Sequence, residues 1–385
     1  MKEGWTYKRL GDICTIERGG SPRPIDAFIT TEDKGFNWIK IGDAVEGSKY
    51  ISSTKEKIKP EGLKKTRFVH KGDFILSNSM SFGKPYILNI DGCIHDGWLV
   101  IHDENDTFDK SFLYYLLGSP NMYREFKRLA VGGVVNNLNS KVVRDVIVPV
   151  PPLQEQKRIV AELDLLTGII DKQKQQLKEL DTLAQSIFYD MFGNPVENEK
   201  GWHTEPLQLV APQMPYKGAM EKKDGKVWLL NLDMVAQQTG EIIEKVFVEE
   251  NKVGNSTMAF DTSNVLYSKL RPYLNKVVIP DGIGYGTTEL VPLKPKESVL
   301  NRVYLAYLLR SGSFVNYISM KVAGAKMPRV SMDVLRDFPI ALPPIVKQET
   351  FAKKIQAIES QKQSINRSIA ESQKLFDYTM DKYFG

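Results

Sequence analysis

The sequence predicts an α+β protein: two similar mixed α/β domains joined by two long helices packed as an antiparallel coiled coil, with internal pseudo-twofold symmetry. Three observations carry this prediction. The chain is written twice: Tyr115-Leu116-Leu117 recurs as Tyr307-Leu308-Leu309, Arg144-Asp145 as Arg336-Asp337, Pro151-Pro152-Leu153 as Pro343-Pro344-Ile345 and Phe192-Gly193 as Phe384-Gly385, a constant offset of 192 residues. Each copy closes with a long apolar heptad pattern, and each contains short β-branched and aromatic runs separated by turn residues. The duplication divides the chain into a first head at 1–150, a first long helix at 151–193, a second head at 194–342 and a second long helix at 343–385.

In the first head, Phe36-Asn37-Trp38-Ile39-Lys40-Ile41, Asp73-Phe74-Ile75-Leu76, Trp98-Leu99-Val100-Ile101 and Val146-Ile147-Val148 read as strands, bounded by Gly, Asp, Asn and Pro. Val227-Trp228-Leu229-Leu230, Asn264-Val265-Leu266-Tyr267 and Glu289-Leu290-Val291 are the second-head counterparts. Helical patterns over 109–130 and 301–322 are each broken by small residues, Ser119-Pro120 in one and Ser311-Gly312-Ser313 in the other. Identity concentrates at the end of each repeat while the middles diverge, as expected of one scaffold carrying two different surfaces.

The long helices open after a Pro-Pro pair and close at Phe-Gly. Proline is tolerated in a first helical turn because its missing N–H would be unpaired there, and glycine suits the left-handed position past a helix end. The first seam runs through Ile159, Leu163, Leu166, Ile170, Gln173, Leu177, Leu180, Ala184, Ile187 and Met191. The second is weaker but in register: Phe351, Ile355, Ile358, Lys362, Ile365, Ile369, Ser372, Phe376, Thr379 and Tyr383. Helices on the order of 60 Å long at about 1.5 Å per residue need a partner, and the other copy is the nearest one. The first helix must exit through 194–344 before the second begins, which favours antiparallel pairing.

Composition excludes several classes. A hydrophobic content of 42% builds real cores. No run approaches the roughly 18 apolar residues of a membrane span, and Met1-Lys2-Glu3-Gly4-Trp5 has no apolar signal core, so a soluble cytoplasmic protein without membrane contact is expected. Cys14 and Cys93 lack CxxC partners, and His70, His95, His102 and His203 lack metal-ligand spacing, which argues against zinc or a disulfide framework. The net charge of +5 permits an anionic partner.

No catalytic constellation emerges. Gly132-Gly133-Val134-Val135-Asn136-Asn137 lacks the lysine of a phosphate-binding loop. Asn194-Pro195-Val196-Glu197 lacks the second proline and the aromatic of an adenine methyltransferase loop and reads as a helix stop. Asp281 to Glu289 resembles paired nuclease acids only superficially, because no lysine follows two residues beyond Glu289. The residues therefore argue for binding, with no catalytic residue, no metal and no cofactor in this chain.

Three polar and basic loops recur at corresponding places in the two heads. Arg18-Gly19-Gly20-Ser21-Pro22-Arg23-Pro24 aligns loosely with Pro215-Tyr216-Lys217-Gly218. Ser77-Asn78-Ser79-Met80-Ser81-Phe82-Gly83-Lys84 matches Ser268-Lys269-Leu270-Arg271-Pro272-Tyr273-Leu274-Asn275-Lys276. Gly132 to Asn137 matches Gly324-Ala325-Lys326-Met327-Pro328-Arg329. Arg and Lys suit guanine edges and phosphates, and Asn suits adenine. The DNA-binding candidates are Ser21, Arg23, Asn78, Ser79, Lys84, Asn136 and Asn137 in the first head, and Lys217, Lys269, Arg271, Lys326 and Arg329 in the second.

The chain resembles, over essentially its full length, the specificity subunits of type I restriction-modification systems. The strongest segment is Val146-Ile147-Val148-Pro149-Val150-Pro151-Pro152-Leu153-Gln154-Glu155-Gln156-Lys157-Arg158-Ile159-Val160, similar to the family's strand, Pro-x-Pro-Pro-Leu, Glu-Gln and long helix. The second junction keeps Pro343-Pro344 and Gln348 but has Lys347 where Glu155 stands. Trp5, Trp202, Gly19-Gly20-Ser21-Pro22, Trp38-Ile39-Lys40-Ile41-Gly42-Asp43 and Arg271 to Lys276 also resemble family segments.

The resemblance implies two target-recognition domains, each reading half of a bipartite asymmetric site in double-stranded DNA, with the helices as a ruler for the spacer. It further implies two modification subunits docked along the helices and restriction subunits joining them. S-adenosylmethionine, ATP and Mg would belong to those partners. Two other classes remain open. A fused methyltransferase or nuclease would act alone on DNA, and a coiled-coil scaffold would ignore DNA and show no salt-dependent retention.

Overall fold

The computed structural model describes residues 2–45, 47–78, 82–130, 138–322 and 326–385. The chain forms two compact units, Met1–Lys172 with Ile369–Gly385, and Gln173–Ser368. Each long helix contributes to both: the first spans Leu153–Phe192 and the second Ile345–Phe384.

In the first unit a five-stranded sheet runs in the order Thr15–Arg18, Trp98–His102, Phe74–Ser77, Pro85–Leu88, Tyr50–Ile51. A second five-stranded sheet has the order Ile29–Thr30, Glu56–Ile58, Phe36–Ile39, Gly92–Ile94, Arg67–Val69. Phe74–Ser77 and Pro85–Leu88 are buried on both faces, as unbroken apolar runs should be. Ile147–Val150 leads into the first long helix and pairs antiparallel with Thr6–Arg9.

The second unit repeats this plan in shorter form. Val277–Val278, Val265–Ser268 and Leu290–Leu293 make one sheet, and Val246–Val248, Val227–Leu230, Gly284–Gly286 and Met258–Phe260 another. Pro339–Ala341 pairs with Thr204–Pro206 as its counterpart does in the first unit. The helical patterns resolve into Lys110–Leu117 and Pro120–Ala130, and into Arg302–Arg310 and Gly312–Met320. The small-residue breaks are caps: the Ser119 hydroxyl accepts the Met122 N–H and Ser311 the Phe314 N–H.

A buried glutamine locks each long helix to its head. Gln156 accepts the Asp109 N–H at 2.8 Å and donates to the Thr107 and Pro151 carbonyls, each at 2.9 Å. Gln348 does the same to Asn301, Val299 and Pro343 at 2.9, 3.0 and 2.7 Å. Asp109 and Asn301 are in turn the N-caps of the head helices. One side chain thereby satisfies orphan backbone groups of three segments, which explains why both copies keep glutamine there.

Within each unit the two helix segments run antiparallel. Tyr383 donates to Glu162 at 2.7 Å and accepts from Arg158 at 3.2 Å in the first unit. Gln173 donates to Ser368, and Lys362 to Asp181, each at 2.7 Å, in the second. Ile159, Leu163, Leu166 and Ile170 are buried, as are Phe351, Ile355 and Ile358, while Leu177, Leu180, Ile187, Ile365, Ile369 and Phe376 are half-buried.

The strict heptad needs correction at its far end. A helix of 3.6 residues per turn falls about 20° behind a heptad in each repeat, so after about four repeats the next residue along faces the core. Phe188 and Phe192 are accordingly buried where the seam predicts Ile187 and Met191, and Met380 and Phe384 join Thr379 and Tyr383. Lys362, at a core position, is buried as an ion-paired lysine.

Candidate nucleic-acid interface

In the first unit the strand Phe74–Ser77 ends beside the start of its neighbour, with Ser77 opposite Trp98. Two loops meet at this edge on Asp96, a residue that sequence reasoning missed. The Ser21 hydroxyl donates to the Asp96 carboxylate at 2.7 Å, and Arg23 lies 3.8 Å from it. The Asn78 amide and the Arg18 guanidinium both donate to the Asp96 carbonyl at 2.9 Å. The Ser21 hydroxyl, with smaller help from His95 and Arg18, outweighs burial and holds the Asp96 carboxyl below the usual carboxylate range. Leu138 N–H donates to the Asn78 carbonyl at 2.9 Å, tying in the segment that follows the third loop.

Asn78 is 3% exposed, so it braces the loop and does not face outward. Arg23 and Lys84 are exposed, and Ser21 is half-buried. Ser79, Asn136 and Asn137 lie outside the described residues.

In the second unit the matching edge has Ser268 opposite Leu290. Lys269 N–H donates to the Glu289 carbonyl at 3.0 Å, Val330 N–H to the Lys269 carbonyl at 2.8 Å and Arg271 N–H to the Pro328 carbonyl at 2.8 Å. The second and third loops are thus joined. Glu289 grips the Arg329 guanidinium through two hydrogen bonds of 2.7 and 3.0 Å, a geometry that fixes the plane of the fork. The acid set aside as a nuclease residue is an anchor for a basic one.

Arg271 and Asn275 bracket the turn Pro272–Leu274, both with φ 50°. A left-handed arginine is uncommon, and here the turn is held by Asn275, which donates to Gln238 at 3.1 Å and to the Arg310 carbonyl at 2.9 Å. Arg271, Lys326 and Arg329 are exposed, whereas Lys269 is half-buried. Lys276 turns inward to the Leu232 carbonyl, and burial lowers its pKa.

Lys217 stands apart from this group. Its loop lines a cleft with Asp261, Ser263, Asn264 and Lys294, and Asn264 donates to the Met214 carbonyl at 3.1 Å. That is the Asn264 end of the strand Val265–Ser268, opposite to Lys269. The loose alignment of the first loops breaks here because the chain pairs only briefly at Gln213 and Leu293 and then crosses to Ala259. In the first unit the equivalent strand continues until Arg18 faces Leu99.

The described residues contain no group of His, Cys, Asp or Glu that could hold a metal ion, and both cysteines are buried. No helix among them is long and apolar enough to cross a membrane. What each unit presents is a braced sheet edge carrying arginine and lysine.

Two such units, each with an antiparallel helix pair locked by a buried glutamine, make up the chain, which is similar in sequence and fold to the type I restriction-modification specificity subunits. Residues 2–182 match the family described as Type I restriction modification DNA specificity domain. Among curated relatives, the chain is 20% identical to the Type I restriction enzyme MjaVIII specificity subunit of Methanocaldococcus jannaschii, over 94% of this chain and 87% of that protein. It is 23% identical to the putative MjaX specificity subunit of the same organism, over 93% and 88%. The fold is similar to a chain solved in work on assembly and conformational transition of the type I R-M system, with a TM-score of 0.60, 19% identity and coverage of 100% and 98%.

Proposed function

We propose that this chain is the non-catalytic DNA-reading subunit of a type I restriction-modification complex. Each head reads one half of a bipartite asymmetric site, the helices set the spacer, and two modification subunits dock along them, with restriction subunits joining. S-adenosylmethionine, ATP and Mg belong to those partners. The carrying observation is that corresponding sheet edges at Ser77 and Ser268 both present basic side chains on acid-braced loops while differing in which residues they offer. A conserved frame with unlike readers suits two unlike half-sites, since phosphate contacts position a protein while base contacts specify it. Exposed Arg23, Lys84, Arg271 and Lys326 are the residues suited to touch DNA directly.

The test is co-expression with the modification subunit and mapping of N6-methyladenine. One bipartite motif is expected; unmethylated DNA beside an active partner would refute the reading. The purified chain alone is expected to leave DNA unmethylated.

A further inference from the structure

Lys49 and Glu241 lie in the corresponding loops of the two heads, after the turns Ile41–Asp43 and Leu232–Met234, yet carry opposite charges. Gly47, with φ 80°, stands two residues before Lys49 and Gly240, with φ 68°, directly before Glu241, and both loops meet a long helix.

In the first unit Lys49 Nζ lies 3.0 Å from Asp164 and 4.9 and 5.5 Å from the ring centres of Tyr115 and Tyr114. Its side chain is only 15% exposed. The Tyr115 hydroxyl donates to the same Asp164 oxygen at 2.5 Å. In the second unit the polarity is reversed. Glu241 contacts Lys362 on the second helix, whose side chain is 4% exposed and which also lies 2.7 Å from Asp181 on the first helix and 3.7 Å from Glu359. The seats do not correspond: Gln356 stands where Asp164 would be, and Ile170 where Lys362 would be.

We propose that these contacts are two charge keys of opposite polarity that fix each head on its helix pair and make each loop unacceptable to the other's seat. The proposal rests on the reading of the heads as DNA readers, because the angle of a head on its helices sets where its half-site contacts fall. An exposed ion pair contributes little to such a lock. Here both lysines are largely withdrawn from water, so a reversed charge set against either pair meets a weakly screened like charge. A glutamate at 49 would face Asp164, and a lysine at 241 would face Lys362. Lys49, Asp164, Glu241 and Lys362 are therefore positioning residues.

The test compares the full-length chain, with its modification subunits, as wild type, Lys49→Glu, Lys49→Glu/Asp164→Lys, Glu241→Lys and Glu241→Lys/Lys362→Glu. The last variant exchanges the two charges, so the number of each sign beside Asp181 and Glu359 is kept. Backbone hydrogen exchange is followed at 47–51 and 239–243, together with methylation of duplexes whose spacer is one base pair too long or too short. Each single reversal is expected to speed exchange in its own loop on the order of tenfold, leave the other loop unchanged and relax spacer discrimination, and each paired exchange to restore both. Unchanged exchange in the single reversals, or paired exchanges that melt like wild type without restoring the loop, overturns the keys. A wild-type complex that methylates no duplex refutes the DNA-reading function instead, and the exchange data still decide the keys.

Discussion

Gln156 and Gln348 show how much one side chain can specify. Each is itself fully buried and joins a strand end, a long helix and a head helix through three hydrogen bonds. Gln156→Leu would leave the Asp109 N–H and two carbonyls without partners, a cost of about 2 kcal/mol. In a unit of this size the melting transition of the first unit should fall by roughly 4–8 °C, which calorimetry would resolve.

Asp96 and Glu289 make a sharper prediction because electrostatics and loop ordering disagree about it. Removing an acid beside DNA should tighten non-specific binding, yet Asp96→Ala and Glu289→Ala release the loops that carry Arg23 and Arg329. The ratio of specific to non-specific affinity is therefore expected to fall on the order of tenfold, measured by competition at fixed salt. A ratio that holds or rises would mean that the acids do not order the readers.

The same corner carries a pH dependence. Burial, the largest influence, holds the partly buried His95 below its ordinary 6.5, outweighing the neighbouring Asp96. Folding thus favours the neutral ring, and the stability it lends is complete above that value and is lost as pH falls through the lower folded pKa. Asp96, also depressed, follows the same sign further into acid. Lowering the pH from neutral to below 6.5 should weaken the first unit more in wild type than in His95→Gln, as read from unfolding midpoints.

At the scale of elements the long helices decide the geometry. Their buried face passes from Ile159 to Phe188 and from Phe351 to Met380, a step of 29 residues, where a strict heptad would give 28. Such a step is what an α-helix keeping about 3.6 residues per turn requires. Deleting one heptad from each helix, 167–173 with the facing 368–374, should shorten the recognised spacer by about three base pairs, since seven residues rise about 10.5 Å. Motif mapping of the deletion variant checks this: a changed half-site with an unchanged spacer would defeat the ruler.

For the molecule as a whole, phosphate contacts from several exposed arginines and lysines predict binding that weakens steeply with salt. Log affinity is expected to fall linearly with log salt, with a slope that shrinks by about one for each of Lys84→Ala, Arg271→Ala and Lys326→Ala that removes a phosphate contact. A salt-independent interaction would favour a scaffold over a reader.

The duplication, both long helices, their Pro-Pro starts and Phe-Gly ends, and the principal strands such as Phe74–Ser77 and Leu290–Leu293 are legible in the sequence. These features are local: they follow from periodicity, from where proline and glycine are tolerated, and from burial of continuous apolar runs. The folded chain alone decided that Asn78 faces inward, that Lys217 lies away from Lys269, that Glu289 clasps Arg329 and that Lys362 sits in a helix seam between carboxylates. Each of those depends on partners between about 18 and 180 positions away in the chain, and long-range pairing of polar groups leaves no period in a sequence for the eye to follow.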